Sequence, residues 1–418
     1  MAKTLTPLDC HALINLMVQQ ATGQANITAT DTSSFISAGE TILATGMENV
    51  YNAINMVLGR TIIAARPYSA RLAIMDAMDT GVYTSRIRKI SYYSRQALPD
   101  GWHNTNLFTN LADGFTNGQN ESGGTPQSTK SMWEQHQAMP LEMNFAGQNV
   151  WQKCITMYEN QVKTAFRSEA DFAAFVSGYL TEHQNDIESE KEAWRRAALL
   201  NKIGALYDAP ATENSVINLT ALYNATFLTS YSSQDLRTTY LKDFLAFFVS
   251  VLKLESKFMA ERSVDRHWAV PKTVGLDTYN ILRHTPYADQ RLYLYSPLFT
   301  SAESLVLPQI FNDELLKINR QYEEITYWQS QQARASVSVT PAVTNRSTGV
   351  QEAGTPVSLD YVVGLLVDKD ALMTNFQMES VNTTPLEARK GYRNTWLSMM
   401  KGAINDPTEN GVLFIMED

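Results

Sequence analysis

Apolar positions fall into a few strongly periodic stretches, and the polar runs between them are long. The longest periodic stretch, Ser168–Leu206, has no proline and only two glycines, Gly178 and Gly204. Ser168 and Asp171 resemble a capping box, placed to satisfy the first free amide donors of a helix. Wound as one helix, the stretch spans roughly 58 Å at 1.5 Å per residue, which is long for a globular protein. Its apolar residues gather at the two ends: Phe172, Phe175, Val176 and Tyr179, then Trp194, Ala197, Ala198, Leu200 and Ile203. Between them, Thr181–Glu192 is polar apart from Ile187. The pattern predicts a spine that joins two packed bodies and meets water, or a neighbouring subunit, in its middle.

The other elements follow from the same periodicities. A short helix is expected around Leu8–Gln20 within a polar arm, 1–34, that needs a partner to be ordered. Ile36, Leu43, Met47, Val50, Tyr51, Ile54 and Leu58 recur at helical spacing and predict a helix over Phe35–Leu58. Ser85–Gln96 and Leu141–Thr156 read as two long strands, separated by more than forty residues rich in Asn, Thr, Gly, Gln and Ser. A compact domain rarely holds so long a loop, so the pair is expected to project and to lie on another chain. Ser233–Arg262 reads as one buried helix, with Leu236, Tyr240, Phe244, Phe247, Val251, Leu254 and Phe258 at near-heptad spacing. Short strands are expected at Val216–Leu219 and at Arg291–Thr300, the latter breaking at Pro297, and a helix at Ala302–Gln321. Ser330–Val357 reads as a loop or edge hairpin. Tyr361–Val367 and Gly411–Met416 read as buried strands, with a further segment at Tyr392–Met400 and a turn at Asn405–Pro407.

Composition narrows the function more than it defines it. The 418 residues suit about two domains. A charged fraction of 18% lies below the usual value of about 25%, the balance being neutral polar residues that suit contact with other protein. The net charge of −9 argues against a generic nucleic-acid binder. Cys10 and Cys154 provide no disulfide framework and suit a reducing cytosol. The N-terminus does not read as a signal peptide, and no apolar run is long enough to predict a membrane span.

Catalytic motifs of the familiar kinds are absent, and the six histidines are scattered. No catalytic residue, cofactor or metal ligand is assigned from the sequence. The densest carboxylate cluster lies on the spine: Glu182, Asp186, Glu188, Glu190 and Glu192, with His183 nearby. Residues four apart share a helix face, so an acid/base or metal site is conceivable. Lys191 and Arg196 stand at helical spacing from Glu188 and Glu192, and a solvated, charge-paired face is the better reading. The basic residues Arg86, Arg88, Lys89 and Arg95 fall on the first projecting strand. They suit contact with acidic surface on a neighbouring subunit, including Glu188 and Glu190 of its spine. Equally, they suit an edge strand protected by charge from aggregation.

The order of parts resembles the major capsid proteins of tailed bacteriophages with the HK97-type fold. Three stretches carry the resemblance. TSRIRKISYYSRQALP with PLEMNFAGQNVWQKCITM resembles the extended loop and its return strand. Ser168–Leu206 resembles the spine helix, and the segment from VVGLLVDKD to the C-terminus resembles the closing segment of podovirus-like members.

The resemblance implies an α+β fold with a long spine helix, an extended two-stranded loop, a peripheral-domain sheet and a compact α/β axial domain. It implies an arm at 1–34, a helix leading to the loop at 35–83, the extended loop at 84–156 and the spine at 157–210. The axial domain would occupy 211–360, and strands returning to the peripheral domain 361–418. The implied protein is no enzyme and uses no cofactor. It would form hexamers and pentamers in the head shell of the virion, assembled in the host cytoplasm around double-stranded DNA without sequence-specific contact. A separate scaffolding protein and a portal would be its partners, and no membrane would be involved. A portal or tail protein is the first alternative. A cytosolic enzyme or solute-binding protein using His183, Asp186 and Glu190 is the second.

Overall fold

The computed structural model describes residues 12, 14–19, 29–44, 72, 86–93, 139–146, 149–158, 160, 161, 163, 169–274, 277–300, 322–387 and 389–418. In chain order the helices are α1 (Thr32–Ala44), α2 (Glu169–Asp208), α3 (Leu219–Phe227), α4 (Ser233–Thr238), α5 (Leu241–Ala260) and α6 (Ser296–Thr300). The strands are β1 (Arg86–Tyr92), β2 (Pro140–Ala146), β3 (Asn149–Tyr158), β4 (Val216–Asn218), β5 (Lys272–Val274), β6 (Asp277–Tyr279), β7 (Gln290–Tyr295) and β8 (Tyr322–Ile325). They continue with β9 (Val337–Val339), β10 (Ala342–Thr344), β11 (Gln351–Ala353), β12 (Val357–Leu359), β13 (Val362–Asp368), β14 (Leu372–Thr383), β15 (Tyr392–Asn405) and β16 (Gly411–Ile415).

The largest core is built on a five-stranded sheet ordered β4-β16-β13-β7-β8. Every residue of β13 and of β16 is buried, as unbroken apolar runs covered on both faces should be. Successive residues of β16 point to opposite faces, and each face meets a helix. Phe414 takes the ring of Phe248 from α5 edge-on at 5.5 Å. Gly411, on the other face, lies against Leu206 of α2. Truncating a ring buried like Phe248 typically costs about 3–5 kcal/mol, so the α5 contact is a main stabilising layer.

The second sheet has three strands ordered β14-β15-β3. It packs on the middle of α2, and here the structure corrects the expected solvent-facing spine. Asp186, Glu190 and Trp194 lie four residues apart on one helix face. Lys153 of β3 pairs with Asp186, and Lys401 of β15 pairs with Glu190. Trp194 donates its indole N–H to the Gly402 carbonyl at 2.9 Å, and the Lys401 ammonium sits 4.6 Å from its ring centre. The polar run is thus the face that recognises a polar sheet of the same chain. The pairs Glu188–Lys191 and Glu192–Arg196 form along the helix as its spacing predicts. Nearer its C-terminus α2 buries Ala198, Leu199, Ile203 and Leu206 in the large core, with Leu199, not Leu200, taking the innermost place.

Residues 361–418, read as strands returning to the spine, are shared between both sheets. β13 and β16 are central in the five-stranded sheet, while β14 and β15 form the excursion that reaches the spine's middle. The expected strand Leu141–Thr156 is two strands, because β2 pairs with β1 and β3 pairs with β15. The expected helix Ser233–Arg262 is also two, α4 and α5. In α5 the buried stripe runs Phe244, Phe248, Val251, Leu252 and Met259, leaving Leu254 half exposed. Pro297 lies in the first turn of α6, where its missing N–H costs no helical bond. Ser330–Val357 folds into two short ladders, β9 with β12 and β10 with β11.

Helix α1 begins three residues before the expected Phe35. Asp31 and Ser34 form a capping box: Asp31 Oδ1 accepts the Ser34 amide at 2.7 Å, and Ser34 Oγ accepts the Asp31 amide at 2.9 Å. Its expected continuation to Leu58 lies outside the described residues, as do Ser168, Cys10, Arg95 and the helix expected at Ala302–Gln321. Within the expected arm, Ile14, Met17 and Val18 are buried, and Asn15 Oδ1 accepts the Ala29 amide at 2.6 Å. Part of that segment therefore packs within its own chain.

A Cβ placed on Gly204 of α2 would meet Val339 Cγ1 at 2.7 Å and Pro341 Cβ at 3.1 Å. Alanine would regain about 1 kcal/mol of helix propensity, but the short β-branched side chain of Val339 and the Pro341 ring cannot easily move aside. Gly204→Leu adds volume with no room, and overpacking of this kind costs about 1–3 kcal/mol or more. Thermal unfolding should therefore show Gly204→Ala below the parent and Gly204→Leu further below it.

Candidate assembly surface

The two strands β1 and β2 form an antiparallel hairpin whose register runs from Arg86 opposite Ala146 to Tyr92 opposite Pro140. The period of two sorts its residues cleanly. Ile90 and Tyr92 point away from the body and are 48% and 63% exposed. Arg88 and Glu142 share this outer face and pair at 2.7 Å. Lys89, Ser91 and Tyr93 point inward, together with Leu141, Met143 and Phe145 of β2. The outer face thus carries two large apolar side chains and a neutralised ion pair, a composition suited to burial against another protein surface.

The hairpin is attached to the body through a buried turn, Asp406–Asn410. Asp406 and Thr408 are about 1% exposed or less. Asp406 Oδ1 accepts from the Thr408 amide at 2.8 Å and from its hydroxyl at 2.7 Å, which closes the turn on itself. Lys89 then pairs with both Asp406 and Glu409. Arg283 donates to Ser91 Oγ at 2.6 Å and lies 3.3 Å from Glu409. Asn410 donates to Thr285 Oγ1 at 3.0 Å, and the Pro407 carbonyl accepts the Trp268 amide at 2.8 Å. From the spine, Lys202 donates to the Asp406 carbonyl at 2.9 Å. Hairpin, spine and five-stranded body therefore meet at one set of polar groups.

Burial dominates the electrostatics there. It lowers the Lys202 amine from its ordinary 10.5 to about 8, against the pull of Asp406 and Glu409 and with help from the repulsion of Lys89. Burial also raises the Glu409 carboxyl, with Lys89 and Arg283 pulling it back.

The residues singled out in sequence separate into three groups. Arg88 lies on the exposed face. Lys89, Glu188 and Glu190 are engaged within their own chain, by Asp406 and Glu409, by Lys191 and by Lys401. Arg86 stands at the base of β1, and Arg95 is outside the described residues. Asp186 and Glu190 are each paired with a lysine of the adjoining sheet and do not converge on an open site. Sequence reading missed the Asp406–Asn410 hub, because a polar run between two strands looks like an exposed turn.

A family model describing the Phi29-like phage major capsid protein matches residues 125–415. The chain belongs to that family. The capsid structure of Staphylococcus phage Andhra aligns over 84% of this chain and 85% of the other at 11% identity, with a TM-score of 0.50. The capsid of cyanophage P-SCSP1u aligns over 85% and 90% at 11% identity, with a TM-score of 0.42, too low to bear on the fold. No curated protein matches the chain. This capsid protein has the HK97-type α+β fold and builds the head shell of a tailed phage, so its place is the virion and its role is structural. The portal, tail and enzyme alternatives are not favoured.

Lys202 gives the shell subunit a measurable alkaline signature. Its folded-state affinity for a proton is below the unfolded one, so between pH 8 and 10.5 the unfolded chain holds more protons. Stability linked to Lys202 therefore rises across that window and is constant below it. Compared with Lys202→Met, the parent should gain on the order of 3 kcal/mol from pH 8 to 10.5, as read by denaturant unfolding at several pH values.

Proposed function

We propose that the subunits assemble as hexamers and pentamers, with the β1–β2 hairpin lying across a neighbouring subunit. The observation that carries this reading is the exposed outer face of the hairpin, where Ile90 and Tyr92 flank the Arg88–Glu142 pair. Arg88 contributes to that contact, and Arg86 and Arg95 are proposed as further contacts with the neighbour. Lys89, Glu188 and Glu190 act instead as internal braces that hold hairpin and sheet in place for it. The α2 spine with the β14-β15-β3 sheet serves as the peripheral domain, and the five-stranded body as the axial domain.

The shell encloses double-stranded DNA through contacts that do not depend on sequence, and it catalyses nothing. A separate scaffolding protein guides closure and a portal occupies one vertex, with assembly in the host cytoplasm. The net charge of −9 supports enclosure without tight binding, since polyanion affinity depends on basic surface.

Ile90→Asp with Tyr92→Ser should leave the subunit folded by circular dichroism yet reduce closed shells at least tenfold by sedimentation and electron microscopy. Shells formed at the parent yield would remove the hairpin face from the interface.

A further inference from the structure

Helix α3 ends on a residue type that seldom fills that place. The position after its last turn is left-handed, where glycine is the usual occupant because it has no Cβ. Here it is Leu228, at φ 54° and ψ 43°. Its side chain is 93% exposed, more than any other large apolar residue among those described. Asn224 holds the conformation in place. Its carbonyl accepts the Leu228 and Thr229 amides, and its side-chain amide donates to the Tyr231 carbonyl at 2.8 Å. Its Oδ1 accepts the Thr229 hydroxyl at 2.8 Å and the Tyr231 amide at 3.0 Å. A strained backbone fixed this firmly, with a leucine turned to solvent, points to a contact made outside the subunit. Phe227 stands beside it, 52% exposed, and the exposed residues around the pair, Ala221, Leu222, Ala225, Thr226 and Ser230, carry no charge.

A receiving surface lies on α5. Phe247 is already covered by α3, with the Phe227 ring at 5.7 Å and Tyr223 edge-on at 5.2 Å. Leu254 and Phe258 continue the same helix face, Phe258 about 16 Å further along. They are 49% and 36% exposed. The apolar spacing of this helix thus runs beyond what the core uses. We propose that Phe227 and Leu228 form a preformed knob that docks on the open Leu254–Phe258 face of α5 in a second copy of this chain. The chain builds a shell from its own copies. The open half of the α5 stripe also offers the kind of surface that Phe227 covers within its own subunit. Knob and receiving face are different surfaces, so the contact runs head to tail and can repeat round a closed ring. A knob ordered before contact loses little conformational freedom on docking. The contact presupposes the ring assembly proposed for the subunits, but not the contact made by the β1–β2 hairpin.

Leu228→Asn in the full chain tests this, because asparagine tolerates the left-handed conformation and removes the apolar knob. The variant subunit should melt at or above the parent temperature and yet give at least tenfold fewer closed shells by sedimentation and electron microscopy. A leucine that served only its own subunit would show the reverse, a lower melting temperature with shells at the parent yield. Leu254→Asp, on the receiving face, should keep the circular dichroism of the parent and lose shells to the same extent. Shells at the parent yield from either folded variant, or Leu228→Asn melting below the parent, overturn the proposal. In that case the hairpin contact still stands or falls on its own variant, Ile90→Asp with Tyr92→Ser. A parent chain that closes no shell under the same conditions overturns both.

Discussion

One forty-residue helix belongs to two sheets at once, and the rest of the subunit depends on that constraint. Its last three turns are part of the large apolar core, where Leu199, Ile203 and Leu206 meet the five-stranded sheet. Its middle is held differently, by lysines on β3 and β15 and by the Trp194 indole on a β15 carbonyl. Partly exposed ion pairs each contribute only about 0.2–1 kcal/mol. The middle therefore gets direction from these contacts more than stability, and most of the stability comes from the apolar end. A rigid helix fixed at one end by packing and aligned along its length by charge keeps the two sheets in register.

The Asp406–Asn410 turn completes that arrangement. It connects β15 of one sheet to β16 of the other, so the chain passes from the charged part of the spine to its apolar part within a few residues. Lys202 reaches the turn from the spine and Lys89 from the hairpin, and the Lys89 cation raises the cost of protonating Lys202. Burying two lysines and two acids together is expensive unless every polar atom has a partner. The Thr408, Thr285, Arg283 and Arg266 bonds around the turn provide those partners. For a shell subunit, the result is a stiff body carrying a hairpin on a few polar contacts, a mechanical division that suits repeated use in one assembly.

Much of this was readable from the residues, for identifiable reasons. The spine follows from an uninterrupted helical stretch, and β13 and β16 follow from VVGLLVD and GVLFI. Their adjacency is not local information: β16 pairs antiparallel with β13 and parallel with β4, some two hundred residues earlier. Leu141–Thr156 reads as one strand because its β-forming residues continue across the break, and only the change of partner from β1 to β15 divides it. Strand β14 escaped notice because polar Thr374 and Asn375 are buried in it. Glu188 and Glu192 of the spine pair along the helix with Lys191 and Arg196, as their spacing suggests. Asp186 and Glu190 pair instead with Lys153 and Lys401, which lie on strands distant in sequence. The basic residues of β1 were legible in the sequence but their faces were not: Lys89 faces the opposite way from Arg88, a distinction that only the strand's register supplies.

The account stands on the claim that the polar middle of the spine is structurally joined to the β14-β15-β3 sheet. Amide hydrogen exchange over residues 185–206 and 393–404 measures this most directly. If the claim holds, residues 185–194 and the facing strand β15 exchange together, as one protected unit continuous with 199–206. Exchange of 185–194 at the rate of an isolated, solvent-exposed helix, well ahead of 199–206 and unlinked to β15, would contradict it.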